Sequence, residues 1–398
     1  MTKAKILIVD DEPYNIDYLE QELEDLEYET FSASSGPTAL EKVTTANPDV
    51  ILLDIMMPGM DGFQVLEQLK AHKTWRTIPV IVISALNDLA SVVKGIKLGA
   101  EDYLPKPFNE VLLKARLDAC LEKKRLRDQE HQYLKGLERE LEIGRQIQAG
   151  FLPEKLPQWP GWEFAAHFQA AREVAGDFYD VFALPQEQRF GLMVGDVCGK
   201  GVGAALFMTL FRSLIRATAN LNDFLAQPSA SVNPDDATIL QTAVGLTNNY
   251  IARLHSRSNM YASLFFGLLD PATGQLTYLN GGHEPPFIIT PTGIKARLTP
   301  TGPIVGLIPN ANFIVQTVQL ESADILLIVT DGVTDAHNPA GQRFTHQRLL
   351  SLLAPPVSSA SAILNTVNTH LRNFIADEIQ FDDITMLAVR RQSMSSIL

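Results

Sequence analysis

Short apolar runs alternate with amphipathic stretches over the first third of the chain. Five runs rich in β-branched or aromatic residues are separated by helical patterns and turn-forming residues: Ile6–Val9, Glu29–Ser32, Val50–Leu53, Val80–Ile83 and Asp102–Leu104. This alternation predicts parallel strands whose connecting helices cover both faces of a sheet. We therefore predict a doubly wound α/β domain over residues 1–120.

A continuous helical pattern follows between Asn109 and Leu152, where no proline occurs and Glu, Lys, Arg, Leu and Gln dominate. Such a helix could extend about 60 Å. Three leucines have the spacing of a coiled-coil seam: Leu134, Leu137 and Leu141. Three residues interrupt the heptads on either side: Glu130, Gly144 and Gln148. The pattern favours a helical linker over residues 121–152 that forms a short seam in a homodimer, or that packs on its own domain.

Beyond Pro153 the apolar runs become longer and lie next to one another. Met260–Leu269 and Gln275–Leu279 flank a Pro-Ala-Thr-Gly turn, which predicts an antiparallel hairpin. Helical patterns follow Gly203 and cover residues 236–254 and 359–374. This grouping predicts an α+β two-sheet sandwich with helical layers over residues 153–392. The polar segment 221–235 is typical of a loop insertion.

Composition narrows the classes of function. The formal net charge is −13 and no basic stripe offsets it, which argues against nucleic-acid binding. Cys120 and Cys198 lie far apart and have no metal-finger spacing, as in proteins of a reducing cytoplasm. The first apolar run is too short for a membrane span, and we find no longer uninterrupted one. We expect a soluble cytoplasmic protein without membrane attachment.

Charged and hydroxyl residues follow the predicted strands of the first domain. Asp10 and Asp11 follow the first strand, Asp54 the third, Ser84 the fourth and Lys106 the fifth. Functional groups collect at the carboxyl ends of the strands in open α/β sheets. Acidic residues there can hold Mg²⁺ and leave Asp54 as a carboxylate nucleophile for a phosphoryl group, with Lys106 pairing with the phosphoryl oxygens.

Three motifs resemble those of the response-regulator receiver domain, which has a flavodoxin-like fold: Ile8-Val9-Asp10-Asp11, Leu53-Asp54-Ile55-Met56-Met57-Pro58-Gly59-Met60-Asp61-Gly62 and Lys106-Pro107-Phe108. The resemblance implies that Asp54 is the phosphoacceptor for a histidine kinase. It further implies that Asp10, Asp11 and the carbonyl of Met56 bind Mg²⁺. Ser84 and Tyr103 would be the residues that switch conformation.

Four segments of the last two thirds combine apolar residues with aspartates: Ala175-Gly176-Asp177-Phe178-Tyr179-Asp180, Gly195-Asp196-Val197-Cys198-Gly199-Lys200-Gly201, Thr330-Asp331-Gly332-Val333-Thr334-Asp335 and Phe381-Asp382-Asp383-Ile384-Thr385. We expect each to place its carboxylate at a strand end. Carboxylates from separate strand ends suit Mg²⁺ or Mn²⁺, which prefer oxygen ligands. The sequence therefore predicts a metal-dependent hydrolase.

The same segments, together with Asn280-Gly281-Gly282-His283, resemble the motifs of PPM serine/threonine phosphatases of the bacterial SpoIIE/RsbU branch. The lead-in from Gln146 to Pro153 resembles that branch too. The resemblance implies two Mn²⁺ or Mg²⁺ ions held by four catalytic aspartates and one backbone carbonyl: Asp177, Asp196, Asp331, Asp382 and the carbonyl of Val197. It implies a phosphoserine or phosphothreonine protein substrate, by branch analogy an anti-sigma-factor antagonist.

Two positions depart from the family pattern. Cys198 stands where many relatives outside this branch have a histidine, which leaves the proton donor for the leaving group unassigned, with water or His283 as candidates. Ala175 replaces a glycine. Asp180 and Asp383 are expected to support the metal ligands from behind, with weak binding of a third ion as the alternative.

Two other functions remain open at this stage. A nucleotide cyclase is suggested by a superficial similarity of Ala175–Tyr179 to a Gly-Gly-Asp-Glu-Phe loop, but the glutamate is missing. A non-catalytic scaffold that docks a phosphoprotein is favoured only by the substitutions at Ala175 and Cys198. The cognate kinase, the choice between Mn²⁺ and Mg²⁺ and the sign of regulation are not fixed by the sequence.

Overall fold

A computed structural model describes residues 3–85, 89–184, 188–221, 235–354 and 357–392. The chain divides into two compact units, Met1–Glu138 and Arg139–Leu398. Almost all of the predicted insertion at residues 221–235 lies outside the described residues.

The first unit contains one sheet of five strands: β1 (Lys5–Val9), β2 (Glu29–Ala33), β3 (Val50–Asp54), β4 (Val80–Ala85) and β5 (Asp102–Lys106). All strands are parallel and their order is β2-β1-β3-β4-β5. The connecting segments contain four helices and one 3₁₀ turn: α1 (Pro13–Asp25), α2 (Gly36–Ala46), α3 (Gly62–Ala71), the turn Trp75–Thr77 and α4 (Leu89–Lys97). The predicted doubly wound sheet is confirmed.

Both faces of this sheet are buried. Leu7 and Val9 of β1 join one apolar cluster, whereas Ile6 and Ile8 join the other. The reason is that successive side chains of a strand point to opposite faces. A strand that must be apolar on both faces appears in sequence as a continuous apolar run.

The predicted long helix is a single element, α5 (Glu110–Ala149), of 40 residues. Leu113, Leu117 and Cys120 near its beginning are buried in a core cluster of the first unit. Farther along, Leu134 is 48% exposed and Leu137 is 43% exposed. Two of the three seam leucines are therefore exposed on this helix, whereas Leu141 is partly buried.

The described part of the second unit contains ten strands: β6 (Trp162–Gln169), β7 (Asp177–Leu184), β8 (Arg189–Val197), β9 (Ala262–Leu269), β10 (Gln275–Gly281), β11 (Phe287–Thr290), β12 (Gly293–Arg297), β13 (Gln316–Gln319), β14 (Ile325–Val329) and β15 (Ile384–Arg391). They form two antiparallel sheets with the orders β13-β10-β9-β8-β7 and β12-β11-β14-β15-β6. The predicted hairpin is β9-β10.

Five helices complete the described part of the second unit: α6 (Val202–Ala219), α7 (Asp236–Leu254), α8 (Asp331–Thr334), α9 (Thr345–Leu353) and α10 (Ala360–Ile375). A 3₁₀ turn, Ser256–Ser258, follows α7. One apolar cluster contains residues of both sheets, such as Leu192 and Leu387, and lies between them. A second cluster joins the first sheet to α6 and α7, and a third joins the other sheet to α9 and α10. The predicted sandwich with helical layers is confirmed.

Helix α6 is long and apolar enough to cross a membrane by length and composition alone. Its Ala204, Met208, Phe211 and Ile215 are fully buried in the cluster on the first sheet of the second unit. Core helices of this kind satisfy the same length and composition criterion.

Two candidate carboxylate sites

Three aspartates meet at the carboxyl edge of the parallel sheet. Oxygens of Asp10, Asp11 and Asp54 all lie within 4.8 Å of one another. Asp10 and Asp11 directly follow β1 and Asp54 ends β3, so the pairing of adjacent parallel strands brings them together. Among the described residues, no other three acidic, histidine or cysteine side chains come this close together.

Lys106 lies between two of these carboxylates. Its Nζ is 2.9 Å from Asp10 Oδ2 and 2.7 Å from Asp54 Oδ1. The Met56 backbone N–H donates to Asp54 Oδ2 at 2.9 Å. Burial raises the pKa of Asp54, and the neighbouring Lys106 opposes that rise. Asp54 is thus a desolvated carboxylate whose charge is matched by one ammonium.

Ser84, Tyr103 and Asn15 surround this cluster in different ways. Ser84 lies in β4 and its Oγ is buried without a hydrogen-bond partner. Tyr103 is half-buried under the guanidinium of Arg116, 5.3 Å from the ring centre. Asn15, which the sequence reasoning missed, donates to both oxygens of Asp10 at 3.0 and 3.1 Å. An Asn five residues after Asp10, in the first turn of a helix, is the signal that could have found it.

The second site begins with two aspartates on neighbouring strands. Asp177 and Asp196 are direct partners in the antiparallel β7-β8 pair. Asp177 is 2% exposed and its Oδ2 accepts a hydrogen bond of 2.8 Å from the Thr330 hydroxyl. Contrary to the predicted strand-end arrangement, Asp177 begins its strand, because the segment before it is a loop that turns into β7.

Asp331 and Asp382 come from the other sheet of the sandwich. Asp331 begins α8 just after β14, and Asp382 precedes β15 instead of ending a strand. Asp382 Oδ2 lies 3.0 Å from Lys200 Nζ, and Lys200 also donates to the Phe381 carbonyl at 2.5 Å. Lys200, placed between two glycines after Asp196, is a further charged group that the sequence reasoning did not assign.

The carboxylates of this site repel one another in a desolvated setting. Burial, together with Asp331 and Asp382, raises the pKa of Asp196 to about 7. Burial, with Asp382 as the next cause, raises the pKa of Asp331 to about 6. Burial raises the pKa of Asp177 well above its usual range, and Asp196 adds to the rise. A bound cation would relieve this repulsion, so the cluster favours cation binding.

Asp383 and Asp180 support the site through contacts with protein groups. Asp383 Oδ2 accepts the Gly176 N–H at 2.7 Å, and its Oδ1 accepts the Ala171 N–H at 2.8 Å. Asp180 lies on β7 and pairs with two arginines of α6. Asp383 therefore holds the loop before Asp177, and Asp180 anchors a helix.

A cavity of about 200 Å³ adjoins Asp196 and Asp331. Cys198 lines it, and its Sγ donates to the Asn259 carbonyl and accepts the Tyr261 N–H, both at 3.3 Å. His283 lies deeper, where burial lowers its pKa to about 4. Its Nδ1 is 2.8 Å from Ser263 Oγ. These contacts favour a structural role for both side chains, which hold neighbouring segments by hydrogen bonds.

Two family models match the chain. The model described as "Stage II sporulation protein E (SpoIIE)" matches residues 186–392, which is more than half of the chain. The model described as "Response regulator receiver domain" matches residues 6–118. Each match covers one of the two carboxylate sites. The exception is Asp177, which lies before residue 186, where the SpoIIE match begins.

Two curated relatives and one solved structure illustrate the similarity. Protein IcfG of Synechocystis is 45% identical over 263 residues, which are 63% of this chain and 41% of that protein. Response regulator PleD of Caulobacter vibrioides is 47% identical over 114 residues, which are 29% of this chain and 25% of that protein. The chain thus spans less than half of either relative.

The solved structure is the SiaA-PP2C domain of Pseudomonas aeruginosa, which covers 65% of this chain and 98% of its own, with a TM-score of 0.53 and 19% identity. At this level of identity the match concerns the fold. It agrees with the two-sheet sandwich described above.

Proposed function

The chain belongs to the stage II sporulation protein E family and carries a receiver domain ahead of the family's PP2C-type domain, and on that premise we propose that it is a receiver-controlled, metal-dependent protein phosphatase acting on phosphoserine or phosphothreonine. The observation that carries the proposal is the electrostatic neighbourhood of Asp196, which faces Asp177 across a strand pair and whose pKa is raised by Asp331 and Asp382, beside a cavity lined by Asp196 and Asp331. Residues 1–120 serve as receiver, 121–152 as linker and 153–392 as phosphatase.

The donor set of the phosphatase site fits divalent cations. Its four aspartates supply only oxygen atoms, and Lys200 is the one cationic side chain that the described ion pairs place against any of them. Hard cations such as Mn²⁺ and Mg²⁺ prefer such ligands. Asp177, Asp196, Asp331, Asp382 and the Val197 carbonyl would hold two of them.

A pair of divalent cations supplies a nucleophile from water at neutral pH and stabilises charge on the transferring phosphoryl group. The protein's own residues position these groups. Thr330 and Asp383 fix Asp177 and its loop, while the cavity beside Asp196 offers room for the phosphorylated side chain. Cys198 Sγ is hydrogen-bonded to two backbone groups, and burial lowers the pKa of His283 to about 4, which makes it a proton-poor imidazole at neutral pH, so we propose water as the donor to the leaving group.

The receiver cluster fits Mg²⁺ by the same criterion, since Asp10, Asp11 and Asp54 converge within one ion's reach. With the Met56 carbonyl they would hold the ion while Asp54 accepts a phosphoryl group from a histidine kinase. Lys106 is already placed to pair with the phosphoryl oxygens. Ser84 and Tyr103 would respond to the modified Asp54.

The linker and the substrate complete the proposal. The exposed Leu134 and Leu137 of α5 offer a seam for a homodimer. By analogy with the branch, the substrate is a phosphorylated anti-sigma-factor antagonist. Phosphorylation of Asp54 would alter phosphatase activity by shifting the population of receiver conformations.

Hydrolysis of a phosphoserine peptide and of an aryl phosphate, with Mn²⁺, with Mg²⁺ and with a chelator, tests the enzyme. We expect turnover only with a divalent cation, and a loss of at least about 100-fold in Asp331→Ala because a cation ligand is removed. Asp335→Ala, an acidic residue four positions farther on that pairs with Arg343, is the matched control and should retain activity.

Turnover that is equal in Asp331→Ala and the native chain would contradict the proposed site. Absence of turnover with every cation, combined with retained binding of a phosphoprotein, would favour the non-catalytic scaffold.

A further inference from the structure

The last turns of α5 carry a buried side-chain amide that is hydrogen-bonded to a loop of the second unit. Gln148 is 7% exposed. Its Nε2 donates to the Ala175 carbonyl at 2.7 Å, and its Oε1 accepts the Ala175 N–H at 2.9 Å. One side chain thus satisfies both backbone groups of one residue, as a neighbouring strand would.

A second contact lies on the same face of the helix. Gly144 is four residues before Gln148, and a Cβ built at Gly144 would lie 3.7 Å from Val174 Cγ1. Residues four apart on a helix share a face. The face formed by Gly144 and Gln148 therefore packs on residues 174–175.

The loop that Gln148 binds leads directly into Asp177. Ala175 is fully buried, and the next residue, Gly176, donates its N–H to Asp383. A Cβ on Gly176 would lie 2.8 Å from the Val197 carbonyl and 3.2 Å from Ala204 Cβ. The loop is consequently held from three sides, by Gln148, by Asp383 and by the segment after β8.

Asp177 needs this support because it faces Asp196 across the strand pair in a buried setting. Two carboxylates at that place repel each other until a cation joins them. Without the two hydrogen bonds from Gln148 to Ala175, the loop would relax and Asp177 would move away from Asp196. Part of the free energy of cation binding would then be used to bring Asp177 back to Asp196.

We propose that Gln148 is a positioning residue that holds the loop before Asp177 in place, so that cation binding in the phosphatase site depends on its two hydrogen bonds to Ala175. The proposal rests on the proposed function, since it requires Asp177 to be a cation ligand.

The test measures Mn²⁺ binding by titration calorimetry to the full chain carrying Asp11→Ala, which removes a ligand from the receiver cluster. Gln148→Met, which keeps the length of the side chain but loses both hydrogen bonds, is compared with Gln146→Met. Gln146 is exposed and donates only to Glu142 on its own helix. The unfolding temperature in chelator and the kcat at saturating Mn²⁺ are measured on the same samples.

We expect Gln148→Met to need about 10- to 100-fold more Mn²⁺ for half-saturation, the usual cost of losing a group that orients a ligand. Its kcat at saturating Mn²⁺ should stay close to that of the parent, and Gln146→Met should match the parent throughout. If Gln148→Met does not fold, Gln148→Glu takes its place, because its carboxylate still accepts the Ala175 N–H but loses the donor and sets an oxygen against the Ala175 carbonyl. The same direction of change is expected.

Equal Mn²⁺ affinity of the two methionine variants would overturn the proposal. So would a lower unfolding temperature in chelator with unchanged affinity, since that result describes a purely structural contact. A parent chain that binds no Mn²⁺ in its second unit would contradict the proposed function itself, which distinguishes the two failures.

Discussion

Two adjacent aspartates have different tasks in the phosphatase site. The Asp382 carboxylate faces Lys200 and the other acidic groups, whereas the Asp383 carboxylate accepts backbone N–H groups of the loop before Asp177. A carboxylate saturated by backbone donors is a poor cation ligand, because its lone pairs are already used. The contacts show loop support by Asp383, and we propose Asp382 as the cation ligand of the two.

The raised pKa of Asp196 predicts an unusual pH dependence of stability. Its pKa is about 7 in the folded protein, above the value of about 3.8 to 3.9 for an unfolded chain. The folded state thus binds the proton more tightly, and this contribution to stability is lost as the pH rises from about 4 to 7. In chelator, Asp196→Asn should be more stable than the native chain by about 4 kcal/mol at pH 7 and by only about 1 kcal/mol at pH 4.5.

Calorimetric unfolding of both chains across this pH range measures the difference. Excess Mn²⁺ provides the control, because a cation that binds only the folded native chain stabilises it by mass action. The order of stabilities should then reverse at pH 7. An Asp196→Asn chain that is less stable than the native one in chelator at pH 7 would contradict the electrostatic description of the site.

Strand pairing and close backbone contacts decide which motifs meet. The β7-β8 register sets Asp177 opposite Asp196. At the start of α8, a Cβ on Gly332 would lie 1.8 Å from the Asp383 carbonyl oxygen, so only glycine permits this contact. In the receiver, a Cβ on Gly62 would lie 2.1 Å from the Asp54 carbonyl oxygen. Glycine in each motif thus brings a helix start against an aspartate's backbone.

The ion pairs between β7 and α6 should be a main source of stability for the layer behind the site. Asp180 is fully buried, with Arg212 Nη2 at 2.7 Å and Arg216 Nη1 at 3.0 Å. Removing the shared acid leaves buried positive charge without a partner, which costs about 3–5 kcal/mol. We expect Asp180→Ala to lower the free energy of unfolding by that amount in urea titrations.

Arg216→Ala is the matched control from the same network. The Arg216 side chain is 43% exposed, and pairs that exposed contribute about 0–1 kcal/mol. A loss as large as that of Asp180→Ala would show that the two arginines do not differ in desolvation. A negligible effect of Asp180→Ala would contradict the anchoring role of Asp180.

The chain as a whole joins two units that each have their own core and their own carboxylate cluster. The receiver cluster already contains the lysine that a phosphoryl group would contact, whereas the phosphatase cluster is gathered from both sheets of the sandwich. The single helix α5 runs from one unit into the other. The proposed control of one cluster by the other therefore has to be tested on the full chain.

Regulation is tested on the full chain with a small phosphodonor such as acetyl phosphate. We expect the donor to change the rate of phosphopeptide hydrolysis by the native chain, because a phosphorylated Asp54 shifts the receiver's conformations. Asp54→Asn cannot accept the phosphoryl group and should show no change. Equal responses of both chains would mean that the donor acts on the phosphatase site directly, and the proposed control would be wrong.

The sequence by itself determined the two folds and the residue types of both sites. Apolar runs on a doubly covered sheet must be continuous, so β1, β3 and β4 were recognisable locally. The linker helix was recognisable because its residues favour helix over more than ten turns. The acidic motifs are local too, because a hard cation requires oxygen ligands whatever the surrounding fold.

Only the tertiary structure decided which groups meet and in which direction each one points. Gln148 and Gly144 interrupted the heptads in the sequence, and the structure shows that this irregular face is the one that packs on residues 174–175. Likewise, nothing local distinguishes Asp382 from Asp383. The physical reason is that hydrogen bonds and carboxylate contacts between residues 27 to 207 positions apart depend on strand register and sheet packing, which a local pattern does not encode.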